Sequence, residues 1–351
     1  MIDATHGLAF AGTGIAAWVL HRAAPALGLI GHPGGRRLHA APVPLVGGLA
    51  IAIGLSLAFA WRGTVQPAPL ALMVAALSIV TGGVLDDRIE LTARVKLAIQ
   101  IVAANALVEL GGMLLLHAGA LFSPAVQGLG VALGVALTAP FTILGIVGVM
   151  NAMNMIDGAD GLAGGIALGA LFWFGAAAAL AGMPAHTSLI ALFGAAVAAY
   201  LLFNAWPPLA RRYKVFLGDA GSLLTGLLLA WIAIELAMAP FPAIKPVTAV
   251  WILAVPICDS VSVMVRRMLR RRSPFRPDRE HFHHLLQEAG YSSGQAVALM
   301  VAISFVFGGL ALFAERVGVP EYVMFYLSMA IFAGYSVASA RFFAAPGRQA
   351  A

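Results

Sequence analysis

Apolar runs of about 17 to 25 residues recur along almost the whole chain, each long enough to cross the hydrocarbon core of a bilayer as a helix. In lipid, every backbone polar group must be paired within the segment or across a closed barrel. A barrel would show short segments of alternating hydrophobicity, which this sequence lacks. Composition agrees: 61% of the 351 residues are hydrophobic and 10% are charged, against roughly 25% charged in soluble domains. Mean hydropathy is +0.93. The expectation is an all-α polytopic membrane protein, one integral-membrane domain over residues 1–351. About eleven spans are expected, at 4–20, 44–61, 69–85, 95–116, 130–150, 161–181, 188–206, 221–239, 246–264, 296–314 and 322–340. The first run follows Asp3 and His6 without a basic start, so it reads as a retained span. The single cysteine, Cys258, excludes an internal disulfide and a thiolate metal cluster.

The net charge of +6 would suit a nucleic-acid partner in a soluble chain, but here the place of the charges decides. With the N-terminus outside, the loops at 21–43, 86–96, 207–220 and 265–295 and the C-terminal tail lie inside. They hold eighteen of the twenty-one basic residues, leaving Arg62, Lys245 and Arg316 outside. The positive-inside rule therefore predicts a periplasmic N-terminus, a cytoplasmic C-terminus and no nucleic-acid partner. Acids follow the same partition: Asp86, Asp87, Glu90, Asp157, Asp160, Asp219, Asp259, Asp278 and Glu280 all fall on the inner side. Chemistry, on this reading, faces the cytoplasm.

The densest polar stretch is Asn151 to Leu162, NAMNMIDGADGL. Asn151, Asn154, Asp157 and Asp160 repeat every three residues, which on helical turns puts them on one side, and Gly158 and Gly161 let a ligand or metal come close to the backbone. Acids at a span end are costly unless a cation or substrate meets them; a solvated loop with helix caps is the plainer alternative. Asp86 and Asp87 in LDDRIE repel each other and call for a metal or a base, with Lys96 either a site residue or a surface salt-bridge partner. In KVFLGDAGS, Asp219 reads as a helix N-cap or as a rigidly held metal ligand, with Phe216 suited to stacking on a base. Arg37 and His39 stand in a proline-bounded inner loop where membrane anchoring is the default. The basic and histidine-rich loop at about 265–295 carries Arg276, Arg279, His281, His283 and His284 among turn residues, a pattern that suits a phosphate ligand. From Arg279 an amphipathic helix is expected to run to Gly290, with His281 and His284 on one flank and His283 on the other. The chain has no Gly-Lys pair and no HExxH, which excludes a P-loop and a zincin.

These motifs, NAMNMIDGADGL, LDDRIE, KVFLGDAGS, PLVGG and SPFRPDREHFHHLL, in this order over residues 30–295, resemble the bacterial polyprenyl-phosphate N-acetylhexosamine-1-phosphate transferases of the WecA type. That family lies in the superfamily of the MraY phospho-MurNAc-pentapeptide translocase. Glu90 stands where the branch often has a third Asp, and His32 where it often has an Asp. The resemblance implies transfer of N-acetylglucosamine 1-phosphate, or a related sugar 1-phosphate, from a UDP-sugar to undecaprenyl phosphate with release of UMP. It further implies a multi-pass protein of the bacterial inner membrane, possible homodimers, dependence on Mg²⁺ or Mn²⁺, and a place at the first membrane step of a surface polysaccharide such as O-antigen. By the same resemblance, Asp219 and Asn154 hold metal, and Asp86, Asp87, Asp157 and Asp160 serve catalysis. Substrate falls to Asn151, Gly158, Phe216, Lys96, Arg37, His39, Arg276, Arg279 and the three histidines. A cation-coupled transporter is the competing class; it predicts acids near the bilayer midplane and a duplicated half, neither of which the sequence shows.

Overall fold

A computed structural model describes residues 3–31, 42–63, 67–122, 135–273 and 280–344. Fourteen helices occur among them. In chain order they are α1 (Ala4–Leu27), α2 (Gly47–Arg62), α3 (Pro67–Ile89), α4 (Ala93–Glu109), α5 (Val135–Ile156), α6 (Leu162–Leu180) and α7 (Pro184–Asn204). They continue as α8 (Pro207–Tyr213), α9 (Gly218–Met238), α10 (Pro246–Ile252), α11 (Ala254–Leu269), α12 (Phe282–Glu288), α13 (Ser293–Arg316) and α14 (Glu321–Ala344). One short antiparallel pair, β1 (Ile30–Gly31) with β2 (Val43–Pro44), precedes α2.

Among the described residues, seven helices are long and apolar enough to cross a membrane: α3, α5, α6, α7, α9, α13 and α14. The pair α10 and α11 makes an eighth if it is one span, but the two are bent by 79° at Leu253. The chain is thus an all-α polytopic membrane protein; of the about eleven spans expected, seven, or eight with the bent pair, meet that length and apolarity among the described residues. The run at 246–264 is broken, because Pro256 stands in the first turn of α11, where proline starts a helix more readily than it continues one. The other three expected spans fall on α1, α2 and α4. Helices α2 and α4 have 16 and 17 residues, short of the ~20 a perpendicular crossing takes. Helix α1 carries Thr5, His6, Thr13, His21 and Arg22 along its length.

The bundle is built around α9. All its residues are buried except Gly218, Asp219, Glu235 and Met238, and it packs against α2, α3, α5, α6 and α10. A helix enclosed on so many sides needs small residues where its neighbours cross, since van der Waals packing, and not water exclusion, holds helices together in lipid. Three contacts supply them. A Cβ on Gly48 of α2 would lie 2.2 Å from Gly221 N, one on Gly83 of α3 would lie 2.3 Å from Ala220 Cα, and one on Gly226 would lie 2.5 Å from Met150 Cα of α5.

The end of the bundle at which α9 begins is pinned by extended chain. Phe216 N donates to Pro44 O at 2.8 Å, Gly47 N to Phe216 O at 2.8 Å, and Gly48 N to Leu217 O at 2.9 Å. Asn204, buried at the end of α7, accepts from Gly161 N at 2.6 Å and donates to Val215 O at 3.0 Å. The segment leading into Asp219 is therefore held between the start of α2 and the turn after α5.

Candidate active site

Four helix ends bring the polar groups together: the C-terminal ends of α3 and α5 and the N-terminal ends of α4 and α9. Asp219, the second residue of α9, accepts from Asn154 Nδ2 at 2.8 Å through Oδ1 and from Lys96 Nζ at 3.1 Å through Oδ2. The same Lys96 ammonium pairs with Asp86 Oδ2. Asn154 Nδ2 also reaches Ser222 Oγ at 2.9 Å, one turn into α9. Lys96 is thus a bridge between two acids on different helices, and not an outward-facing salt-bridge partner. Asp86 is buried, and its Oδ1 accepts from Leu91 N at 2.7 Å, closing the end of α3 where Glu90 turns the chain with φ of 51°.

Asp87 points the other way along the same helix end. Its Oδ1 accepts from Asp219 N at 3.0 Å and its Oδ2 from Ala220 N at 3.4 Å. A helix starts with amides that have no partner within it, and here a carboxylate from another helix satisfies two of them. Gly218 makes room for this: its φ is +70°, and a Cβ there would lie 2.5 Å from Asp87 Oδ2.

The three-residue repeat of Asn151, Asn154, Asp157 and Asp160 does not stay on one face, because α5 ends at Ile156. Asn151 exchanges hydrogen bonds with Gln100 of α4, at 2.6 Å from Asn151 Nδ2 and 3.3 Å from Gln100 Nε2. Asp160 pairs with Lys214 Nζ at 2.5 Å, and that ammonium also stands 5.3 Å from the centre of the Phe216 ring. Asp157, partly buried in the turn, has its carboxyl pushed up to about 8, first by burial and then by the negative charges of Asp219, Asp87 and Asp160. Those causes tie Asp157 electrostatically to the acids of α3 and α9.

The histidines close the site from α12. His281 is the residue before the helix, with extended φ and ψ of −77° and 159°, so the expected split of the three side chains between two flanks is not what forms. The His281 and His283 rings stack with centroids 6.0 Å apart and 15° between planes, and His284 lies 4.0 Å from His283. His283 is 1% exposed, and neither ring nitrogen has a hydrogen-bond partner among the described residues. Burial first, then the charges of His284 and His281, push it down to about 3. It packs on Gly158, where a Cβ would lie 2.5 Å from His283 Cε1. Arg37, His39, Arg276 and Arg279 lie outside the described residues.

Two participants were not singled out in the sequence. Gln100 carries no local signal beyond its place among apolar residues of α4. Asp259 sits in an apolar run and bonds His281 Nδ1 at 2.7 Å; a charge alone within such a run was the available sign.

The donor set suits a hard divalent cation. Asp86, Asp219 and Asp157 offer carboxylate oxygens and Asn154 its Oδ1, and Asp86 Oδ2 is buried with the Lys96 ammonium against it but, among the described residues, no hydrogen bond aligned on it. Among the described residues no three acids or histidines are already arranged around one point as ligands; Lys96 stands between two of them.

Residues 69–237, which contain α3 through almost all of α9, match the model of glycosyl transferase family 4. The chain is 34% identical over 324 residues to an undecaprenyl-phosphate alpha-N-acetylglucosaminyl 1-phosphate transferase of Escherichia coli O157:H7, covering 90% of this chain and 84% of the relative. Proteins of the same description from Yersinia pestis and Haemophilus influenzae are also 34% identical, covering 91% and 85% of this chain and 86% and 83% of their own lengths. With the acids of three helix ends gathered as above and identity running through nearly the whole length, the chain belongs to the bacterial polyprenyl-phosphate N-acetylglucosamine-1-phosphate transferases.

Proposed function

We propose that this transferase moves N-acetylglucosamine 1-phosphate from UDP-N-acetylglucosamine to undecaprenyl phosphate and releases UMP, as the first membrane step of a surface polysaccharide such as O-antigen. The whole chain acts as one integral-membrane domain of the bacterial inner membrane, crossing it about eleven times with the N-terminus periplasmic and the acid cluster facing the cytoplasm. The distribution of basic residues supports that orientation. The observation that carries the reaction is the joining of Asp219, Asn154, Lys96 and Asp86 across four helix ends.

In the transfer, an oxygen of the lipid phosphate forms a bond to the phosphorus that bears the sugar, while the bridging P–O bond to UMP breaks and UMP leaves with the electron pair. Both reactants are anions, and two unit charges about 4 Å apart at an effective dielectric of 20 repel by roughly 4 kcal/mol. Asp219 and Asn154, with Asp86 and Asp157 beside them, would hold Mg²⁺ or Mn²⁺. When bound, the ion supplies charge neutralisation of the phosphates. Lys96 and the histidines of α12 add cationic or N–H donors around them. A phosphate monoester loses its second proton near pH 6, so the nucleophile is ionised at neutral pH and needs little help from a base. Asp87 is poorly suited to become a phosphorylated intermediate, since both its oxygens are taken by amides of α9. Direct attack by the lipid phosphate is therefore favoured.

The test is UMP release by purified protein given polyprenyl phosphate and each of several UDP-N-acetylhexosamines, with the lipid product followed by radiolabel. Labelled lipid with UDP-N-acetylglucosamine supports the reading. Preference for another UDP-sugar moves the assignment within the family, and solute flux without lipid-linked product supports the transporter instead.

A further inference from the structure

The histidine segment is fastened at a point apart from the acid cluster. Asp259 of α11 is 2% exposed and takes three donors. His281 Nδ1 lies 2.7 Å from its Oδ2, while Phe282 N at 2.9 Å and the Tyr335 hydroxyl of α14 at 2.7 Å donate to its Oδ1. Farther along α11, the buried Arg266 donates from Nη2 to Glu280 O and from Nη1 to Ser339 Oγ, both at 2.6 Å. The residues on either side of His281 are thus held by α11, and the grip is completed from α14.

A carboxylate out of water is stable only when paired, and of its three donors His281 is the one able to carry positive charge. With Nδ1 committed to Asp259, Nε2 is, among the described residues, the edge the ring has left for a ligand. This ring stacks on His283, which lies on Gly158 in the turn that carries Asp157. Asp259 therefore sits behind the histidine that is next to the site, in the arrangement by which a buried acid fixes the tautomer and direction of an imidazole.

We propose that Asp259 is a positioning residue for the transfer: with Tyr335, it orients His281 and directs the Nε2 edge of its ring at the nucleotide sugar. The proposal rests on the transferase reading above.

Kinetics of UMP release by the full chain, with donor and acceptor varied in turn, test it. Asp259→Asn is expected to lower kcat/KM for the nucleotide sugar at least about ten-fold, and Tyr335→Phe about three-fold, with KM for polyprenyl phosphate unchanged. In a His281→Ala background, Asp259→Asn is expected to cost less than about two-fold more, because a residue that acts only through the ring has nothing left to act on. A full-sized further loss in that background, wild-type kinetics for Asp259→Asn, or a change confined to the acceptor KM overturns the proposal. If Asp259→Asn does not fold, Tyr335→Phe with and without His281→Ala gives the same cycle. Should the wild-type chain release UMP from no UDP-sugar, the transferase reading fails separately. Stabilisation by UMP against heat, measured across the same variants, then decides: equal stabilisation in all of them overturns the positioning role.

Discussion

The close crossing of α2 over α9 sets the size of one effect. In Gly48→Ala the new methyl would lie 2.2 Å from Gly221 N and 2.3 Å from Gly221 Cα. Carbon atoms in contact prefer about 3.5 Å or more, so α2 must retreat by about 1.2 Å. The backbone bonds from Gly47 to Phe216 and from Gly48 to Leu217, now 2.8 and 2.9 Å, would then stretch to about 4 Å, past the hydrogen-bond range. Losing them costs about 1 kcal/mol each, and the overpacking itself about 1 to 3 kcal/mol. Alanine in a helix returns about 0.5 to 1 kcal/mol, which leaves a net loss of about 3 kcal/mol. At about 2 to 3 °C per kcal/mol for a chain of this size, Tm falls by about 6 to 9 °C. Because Phe216 and Leu217 lead directly into Asp219, activity should fall more than stability alone requires; a misplacement of about 1 Å costs on the order of 100-fold. Gly148→Ala on α5 is the control, since nothing lies within 4 Å of a Cβ there, and it should raise Tm slightly. Thermal unfolding in detergent together with UMP release reads both effects. Equal Tm for the two variants, or full activity in Gly48→Ala, would refute the close crossing and the pinning of Asp219 derived from it.

The other expectations concern single groups. Asp219→Asn should lower kcat at least about 100-fold, and a chelator should abolish UMP release until Mg²⁺ is restored; full turnover in excess chelator would exclude a divalent ion. Asp87→Ala removes the acceptor of two α9 amides and should cost about 1 to 2 kcal/mol in stability, seen as a lower Tm even without substrate. His283 has its pKa pushed down to about 3, so the unfolded chain takes up a proton below about 6.5 that the folded chain refuses. Stability that His283 leaves intact above pH 6.5 is therefore lost as pH falls, by about 2 kcal/mol at pH 5. His283→Leu should show a correspondingly smaller drop in Tm between pH 7.5 and pH 5, and equal drops would contradict the buried neutral ring.

The sequence made some of this legible because membrane helices announce themselves by length and apolarity, and polar groups at their ends stand out against that background. Asp86, Asp219 and Asn154 were marked in this way, each on a separate stretch. What apolarity cannot convey is direction: residues 246–264 form one continuous run, and only Pro256 hinted at the 79° break. Periodicity misled at Asn151 to Asp160, where a spacing of three implies one face only while the helix lasts. It ends at Ile156, and Asn151, Asn154 and Asp160 go to Gln100, Asp219 and Lys214 instead. Asp259 had no local partner to betray its role, since the donors it binds lie 22, 23 and 76 residues away.

Charge balance explains why the site takes this form. The C-terminal ends of α3 and α5, each carrying the negative end of a helix dipole, deliver Asp86, Asp87 and Asp157 to one place, and α9 adds Asp219. Against these four acids the described residues set one ammonium, Lys96, because Lys214 is engaged by Asp160. The start of α9 supplies partial positive charge, but Asp87 has already taken it through two amides. Asp157 feels that excess as well as its own burial: burial first, then the charges of Asp219, Asp87 and Asp160, push its carboxyl up to about 8. A site so rich in acid is poor at binding phosphates by itself and well suited to a divalent ion, which would relieve the repulsion among the carboxylates and turn the cluster from one that rejects anions into one that holds two of them.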